Sequence, residues 1–123
     1  MWLRGIRGAT VAQENTKEAI VVATKEMLQK MIEVNGIVAE DIASAFFSTT
    51  SDLNAEFPAV AARQLGWTDC ALMCFHDMTV PGALARCVRV MVHWNTTKSA
   101  KEIRHIYLNG AEKLRPEIGR AHV

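Results

Sequence analysis

Long apolar runs are missing from this 123-residue sequence, and so is a marked excess of charge of either sign. A membrane-spanning helix needs about 20 consecutive apolar residues, and no segment approaches that length. The formal net charge is +1, which argues against a general attraction to nucleic acids or membranes. Residues 1–5 are not followed by the apolar core of a signal peptide. We therefore expect a cytoplasmic protein without nucleic-acid or membrane partners.

Cysteine is also scarce, and the common catalytic and cofactor signatures are missing. Three cysteines are an odd number, which favours free thiols in a reducing compartment. Cys70 and Cys74 lie four residues apart, but no second cysteine pair or histidine pair completes a zinc site. The chain has no glycine-rich phosphate loop, dinucleotide fingerprint or Gly-x-Ser-x-Gly elbow. We therefore expect no metal and no organic cofactor.

A cysteine–histidine nucleophile pair is a weak hypothesis for this sequence. Cys74 and His76 would lie on the same face of a strand, but no third residue in the pattern orients the histidine. An enzyme with this sequence would therefore work by electrostatics and positioning rather than by proton transfer.

Hydrophobic periodicity predicts a single domain that mixes strands and helices. The 3.6-residue spacing predicts helices over residues 16–35 and 59–65, ended by Gly36 and Gly66. Period-two alternation predicts strands over residues 2–10, 42–50, 67–74, 87–95 and 103–108. This order indicates an α/β (α+β) fold with a single mixed sheet and helices on one side. The predicted domain spans residues 1–116, and residues 117–123 form a flexible tail.

The strand predicted over residues 87–95 is the most informative segment. Its three valines share one face with Trp94, which predicts a central strand that is buried on that side. Arg89 lies on the other face between Cys87 and Met91, and we expect it to have little access to water. Because a buried guanidinium needs an anionic partner, either a carboxylate of the chain or a ligand should face Arg89.

Four arginines stand out as candidate anion-binding residues, because the guanidinium group binds carboxylates in a bidentate manner. Arg7 lies between two glycines, Arg63 lies in the short helix, Arg89 is in mid-strand and Arg115 precedes a proline. If they converge, they exceed what the nearby Asp77 can neutralise and would fit a small ligand with several negative charges. The sequence leaves open whether they converge, and whether Arg7 is simply a solvated arginine on an edge strand.

Five segments taken together resemble a known family. They are Arg-Gly-Ile-Arg-Gly-Ala-Thr at 4–10, Phe-Pro-Ala at 57–59, Cys-Val-Arg-Val-Met at 87–91, Ile-Arg-His-Ile-Tyr-Leu at 103–108 and Leu-Arg-Pro at 114–116. In this combination they are similar to the monofunctional chorismate mutases of the trimeric α/β-barrel class. The resemblance implies a homotrimer that forms a trimeric pseudo-α/β barrel, with active sites between adjacent subunits. It also implies an isomerase that converts chorismate to prephenate in phenylalanine and tyrosine biosynthesis.

The resemblance implies a role for each matching residue. Arg89 would stabilise negative charge on the ether oxygen of chorismate as the C–O bond breaks. Arg7 would contact a carboxylate and the ether side, and Asp77 would accept a hydrogen bond from the ring hydroxyl. The other implied substrate contacts are Phe57, Ala59, Arg63, Met73, Cys74, Tyr107, Leu114 and Arg115.

Two residues depart from the family pattern, and two alternative readings stay open. Asp77 replaces the usual glutamate, so the same hydrogen bond requires a shifted loop or a bridging water. Val60 stands where some relatives have a lysine. One alternative is a trimer that binds an anion in the same cleft without catalysis. The other is a structural role in which Arg89 pairs with Glu56 or Asp77 inside the chain and supports the fold.

Overall fold

The computed structural model describes residues 1–114, which form one five-stranded mixed sheet with two helices. The strands are β1 (Trp2–Val11), β2 (Ile42–Thr49), β3 (Ala71–His76), β4 (Cys87–Thr96) and β5 (Ile106–Tyr107). Their order across the sheet is β3-β2-β4-β1-β5. β4 pairs antiparallel with β1 and β2, whereas the two outer pairs, β1–β5 and β2–β3, are parallel. The predicted fold class is confirmed.

The two helices, α1 (Lys17–Asn35) and α2 (Ala59–Gln64), form where the sequence predicts them. Thr16 caps α1 by accepting a hydrogen bond from the Ala19 N–H at 3.1 Å. Gly36 ends α1 in the left-handed conformation with φ 74°, which a glycine adopts without steric cost. Single 3₁₀ turns at Ala39–Asp41, Ala100–Glu102 and Ala111–Leu114 complete the described chain.

The hydrophobic core lies between the helices and one face of the sheet. The three valines and Trp94 of β4 are buried on this face, as predicted, together with Ile6 and Phe47 from the neighbouring strands. Gly8 of β1 allows α1 to approach closely, because a Cβ atom there would lie 2.5 Å from the Met31 sulfur. Within residues 1–114, no helix has the length and apolar character needed to cross a bilayer.

The opposite face of the sheet is open in the single chain, and this corrects the expectation for Arg89. Both helices cover the same side, so several large side chains on the other side stay accessible to water, although Ala9 and Cys87 are buried there. Leu3 and Met73 are each 56% exposed there, and Phe75 is 48% exposed. The Arg89 side chain is 49% exposed rather than buried, because neither helix covers this face of β4.

Two predicted strands differ from the observed ones at their N-terminal ends. β3 begins at Ala71 rather than Trp67, because the Trp67 N–H bonds to Ala62 O at 3.0 Å and Trp67 packs back beside α2. β5 is confined to Ile106–Tyr107 because the backbone of Arg104 bonds to the buried Asn35 side chain at the end of α1 instead of to a neighbouring strand. The Arg104 N–H donates to Asn35 Oδ1 at 2.9 Å, and the Asn35 amide donates to Arg104 O at 2.9 Å.

Candidate active site

A cleft of about 380 Å³ on the open face of the sheet brings together five of the predicted site residues. The five are Arg7, Asp77, Arg89, Tyr107 and Leu114. They come from three strands, β1, β4 and β5, and from two segments outside the sheet, the loop after β3 and the 3₁₀ turn at Ala111–Leu114. Arg115, another predicted contact, lies outside the described residues.

The strand registers explain why the cleft forms around Arg89. One row across the sheet reads Phe75, Ser48, Arg89, Ala9 and Tyr107, with one residue from each strand. Arg89 therefore occupies the centre of the row, with a small residue on each side. The small neighbours leave room for a ligand above the strand, whereas the two aromatic residues form its walls.

Arg89 and Asp77 form an ion pair inside this cleft. Arg89 Nη2 lies 2.9 Å from Asp77 Oδ2, and the two side chains are 49% and 25% exposed. The other Asp77 oxygen accepts the Met78 N–H at 2.9 Å. The chain itself therefore supplies an anion for Arg89, as one of the sequence alternatives allowed. Because water reaches both groups, the pair is not the buried pair that this alternative required to support the fold.

The Arg7 backbone is held by a histidine that the sequence did not single out for this role. The Arg7 N–H donates to His105 Nδ1 at 2.9 Å. A ring nitrogen that accepts a hydrogen bond carries no proton, so the neutral ring has its proton on Nε2. His93 likewise has a partner, since its Nδ1 lies 3.1 Å from Ser44 Oγ. His93 lies in β4, whereas His105 directly precedes β5.

Other predicted contacts lie apart from the Arg89 cleft in the single chain. Phe57 and Cys74 line a separate cleft of about 450 Å³, which shares only Phe75 with the first. Ala59 is buried in α2, and Arg63 is exposed on the same helix. Met73 lies on β3, exposed on the open face. The single chain thus divides the predicted contacts between two clefts and their surroundings, with Ala59, Arg63 and Met73 lining neither cleft.

The thiols near these clefts are poor nucleophiles. Burial raises the pKa of Cys74 above its ordinary value of 9.0, and the Ala59 backbone and the Arg63 charge oppose this only in part. Burial likewise raises the pKa of Cys87, with Arg89 opposing it. Both side chains are therefore protonated at neutral pH. Among the described residues, no group of three or more acidic, histidine or cysteine side chains is placed to hold a metal ion.

Sequence reasoning missed part of the cleft wall. Phe46, Ser48, Phe75 and Met91 line it, and none of them was predicted as a site residue. The signal was present in period-two alternation, because Met91 shares a face with Arg89 and Phe46 with Ser48. Using that signal requires the pairing Phe46↔Met91 and Ser48↔Arg89, and a single sequence does not reveal this register.

Comparisons with known proteins agree on the relatives of this chain. A sequence model of the family described as chorismate mutase type I matches residues 3–118. The chain is 46% identical over 117 residues to the chorismate mutase AroH of Thermus thermophilus, covering 94% of this chain and 96% of that protein. It is 43% identical over 119 residues to the chorismate mutase AroH of Bacillus subtilis (strain 168), covering 96% and 94%. The solved structure of a chorismate mutase from Clostridium thermocellum matches with a TM-score of 0.87 and 50% identity, over 92% of this chain and 99% of that one.

Proposed function

This chain belongs to the type I chorismate mutase family, and from that premise we propose how it works as a chorismate mutase, an isomerase of aromatic amino acid biosynthesis. The substrate is chorismate and the product prephenate. The observation that carries the proposal is the cleft in which Arg89 lies beside Arg7, Asp77 and Tyr107. Chorismate has two carboxylates, so a cleft with two guanidinium groups and a phenol matches its charge.

The reaction fits a cleft without an activated nucleophile. Chorismate rearranges in one pericyclic step, in which a C–O bond breaks while a C–C bond forms within the same molecule. No proton is transferred and no covalent intermediate is required. The protonated Cys74 and the hydrogen-bonded His105 are consistent with this chemistry.

We assign Arg89 to the ether oxygen, where negative charge develops as the C–O bond breaks. A fixed donor at such a position contributes about 3–4 kcal/mol to transition-state stabilisation. Even a modest enzyme lowers its barrier by roughly 8 kcal/mol, so Arg89 does not suffice alone. The remainder would come from holding the enolpyruvyl arm over the ring, through carboxylate contacts to Arg7 and Tyr107 and apolar contact with Leu114.

Asp77 has two functions in this proposal. Its Oδ2 orients the Arg89 guanidinium at 2.9 Å, and the same carboxylate would accept a hydrogen bond from the ring hydroxyl of the substrate. Because aspartate is one methylene shorter than the glutamate usual in the family, a water molecule or a small loop movement would bridge the remaining distance.

We further propose that the enzyme is a homotrimer in which each active site joins residues from adjacent subunits. The exposure of Phe57 (66%), Met73 (56%) and Phe75 (48%) supports this, since large apolar side chains of this kind cluster at interfaces. The Phe57 and Arg63 group of one subunit would then complete the Arg89 cleft of its neighbour. With three free thiols, we place the enzyme in the cytoplasm.

The decay of the ultraviolet absorbance of chorismate, followed with purified protein, tests the activity. We expect decay well above the uncatalysed rate, together with formation of prephenate. Binding of chorismate without faster decay would instead favour a non-catalytic anion-binding protein.

Mixing two inactive variants tests the shared site. We expect Arg89→Ala and Arg63→Ala each to have little activity alone. After dissociation and reassociation of a mixture, about a quarter of the sites would pair two intact halves and regain activity. A mixture no more active than its components, although sedimentation shows mixed trimers, would contradict a site built from two subunits.

A further inference from the structure

We propose that Asp52 and Thr50, on the turn after β2, are positioning residues for the Arg89–Asp77 pair, an inference that rests on the proposed chorismate mutase function. The turn lies outside the strand row that carries Arg89. Its polar groups bond to Arg86 and to Cys87, the first residue of β4. Thr49, the last residue of β2, bonds to Asp77, which directly follows β3. The turn and the end of β2 thus hold the two sides of the ion pair.

The first contacts fix the residues that precede Arg89. The Asp52 carboxylate accepts the Arg86 N–H with both oxygens, at 2.9 and 3.2 Å. The Thr50 hydroxyl donates to Asp52 Oδ1 at 2.5 Å and accepts the Cys87 N–H at 3.0 Å. The Thr50 N–H donates to Cys87 O at 3.0 Å. These bonds leave Arg86 and Cys87 little freedom, and Arg89 follows two residues later.

Arg86 needs such support because its backbone is in a disfavoured conformation. Its φ is 51°, one of only two positive values at non-glycine residues among those described. Side chains with a Cβ atom rarely adopt this conformation unless surrounding contacts impose it. Arg86 also bonds to the end of β1, through the Ala12 N–H at 2.8 Å and from its own Nε to Ala12 O at 3.0 Å. The Asp52 contacts thus hold a turn from which β4 starts in a defined direction.

The Asp77 side of the pair is held by Thr49, the residue before this turn. The Asp77 N–H donates to Thr49 O at 2.7 Å, directly before Thr50. Residues 49–52 therefore hold both ends of the loop 77–86 that separates Asp77 from β4. Thr50 also lines a small cavity of about 230 Å³ together with Asp77, Arg89 and Leu114, so the turn adjoins the cleft directly.

Catalysis depends on this placement because electrostatic stabilisation is sensitive to distance. Groups that act on a transition state need to be held within about 0.5 Å of the productive geometry. A misplacement of about 1 Å lowers rates by about 10²-fold. Neither Asp52 nor Thr50 needs to touch the substrate, since they act through Arg86 and Cys87, where the 77–86 loop joins β4.

The test compares kcat and KM for Asp52→Ala, Thr50→Val and Thr50→Ser with chorismate as substrate. We expect kcat to fall about tenfold or more in Asp52→Ala and Thr50→Val while KM changes little. Thr50→Ser keeps the hydroxyl and should retain near-wild-type kcat. Thr16→Ala removes a helix cap that does not line the Arg89 cleft and serves as the stability control. Measurements are made well below the unfolding temperature of every variant.

A double-mutant cycle distinguishes positioning from general stabilisation. If Asp52 acts through Arg89, the loss caused by Asp52→Ala should be clearly smaller in an Arg89→Lys background than in the wild type. A structural role alone would give equal losses in both backgrounds. If Asp52→Ala does not fold, the Thr50→Val and Thr50→Ser pair carries the same comparison.

Two outcomes would overturn the inference. One is a folded Asp52→Ala or Thr50→Val enzyme with wild-type kcat, and the other is an equal loss in both arginine backgrounds. A wild-type protein without activity on chorismate would instead overturn the proposed function, so the two failures are distinct.

Discussion

Replacement of Arg89 by alanine separates the two roles that the structure allows for this residue. As an internal ion-pair partner of Asp77, Arg89 would support the fold. As a ligand-facing cation, it would support catalysis instead. The structural role predicts a lower free energy of unfolding with kcat preserved. The catalytic role predicts a lower kcat with the free energy of unfolding nearly unchanged.

The exposure of the pair sets the expected effect on stability. At 2.9 Å the geometry is good, but the side chains are 49% and 25% exposed. Solvent screens such a pair, and exposed ion pairs contribute less than about 1 kcal/mol. A buried pair broken on one side would instead cost about 3–5 kcal/mol. We therefore expect Arg89→Ala to lower the free energy of unfolding by no more than about 1 kcal/mol.

The expected effect on catalysis is much larger. Removal of one donor at a developing negative charge lowers kcat by about 10²–10³-fold, or about 3–4 kcal/mol. Arg89→Lys should also lose most of kcat, because lysine keeps the charge but not the planar fork. Arg4→Lys, on the neighbouring strand and outside the cleft, is the matched control and should keep its activity.

Denaturant unfolding and the chorismate absorbance assay measure the two quantities on the same preparations. A loss of several kcal/mol in unfolding free energy, with kcat preserved in the folded fraction, would refute the catalytic assignment. It would favour the structural role for Arg89.

Three further predictions follow from the described contacts. Asp77→Glu should keep or raise kcat, since the longer side chain reaches further into the cleft. Asp77→Asn should lower kcat about tenfold, because it removes the charge from the hydrogen bonds to Arg89 and to the substrate hydroxyl; the absorbance assay decides. Gly8→Ala should destabilise the fold by about 1–3 kcal/mol in denaturant unfolding, because its Cβ would lie 2.5 Å from the Met31 sulfur, and an unchanged midpoint would contradict the close packing. The Thr50 hydroxyl, with a smaller effect from the Arg86 N–H, lowers the pKa of Asp52 below its ordinary value of 3.8. The stability lost in Asp52→Asn should therefore be constant near neutrality and shrink only as the pH falls below 3.8 through the folded pKa, whereas a difference that already shrinks near pH 6 would contradict this.

Local sequence signals predicted most of the fold, because a helix cap or a strand alternation can be recognised within a few neighbouring residues. The limits of α1 follow from a capping threonine and a left-handed glycine, and those of β4 from alternating valines. β3 and β5 begin later than predicted because of contacts with residues outside those strands. Trp67 turns back on α2, and Arg104 bonds to Asn35 at the end of α1, and neither contact has a signature in the local pattern.

The site was predicted in its residues but not in its arrangement. The resemblance named the residues, and five of them meet in one cleft. The partner of Arg89 remained an alternative because nine residues of loop separate Asp77 from Cys87, and no sequence rule fixes the path of such a loop. The separation of Phe57 and Cys74 from that cleft could not be predicted either, since it depends on which faces of the sheet the helices cover.

The half-exposed state of Arg89 suits a binding cation better than the predicted burial would. A fully buried pair with Asp77 would hold the guanidinium so strongly that a ligand carboxylate or ether oxygen would compete poorly for it. In the observed cleft the pair fixes the direction of the guanidinium, while solvent keeps the interaction weak. In the proposed trimer, a substrate and a neighbouring subunit would exclude that solvent, and every interaction of Arg89 would strengthen together. The orientation is thus set before binding, and most of the electrostatic stabilisation would develop only in the closed site.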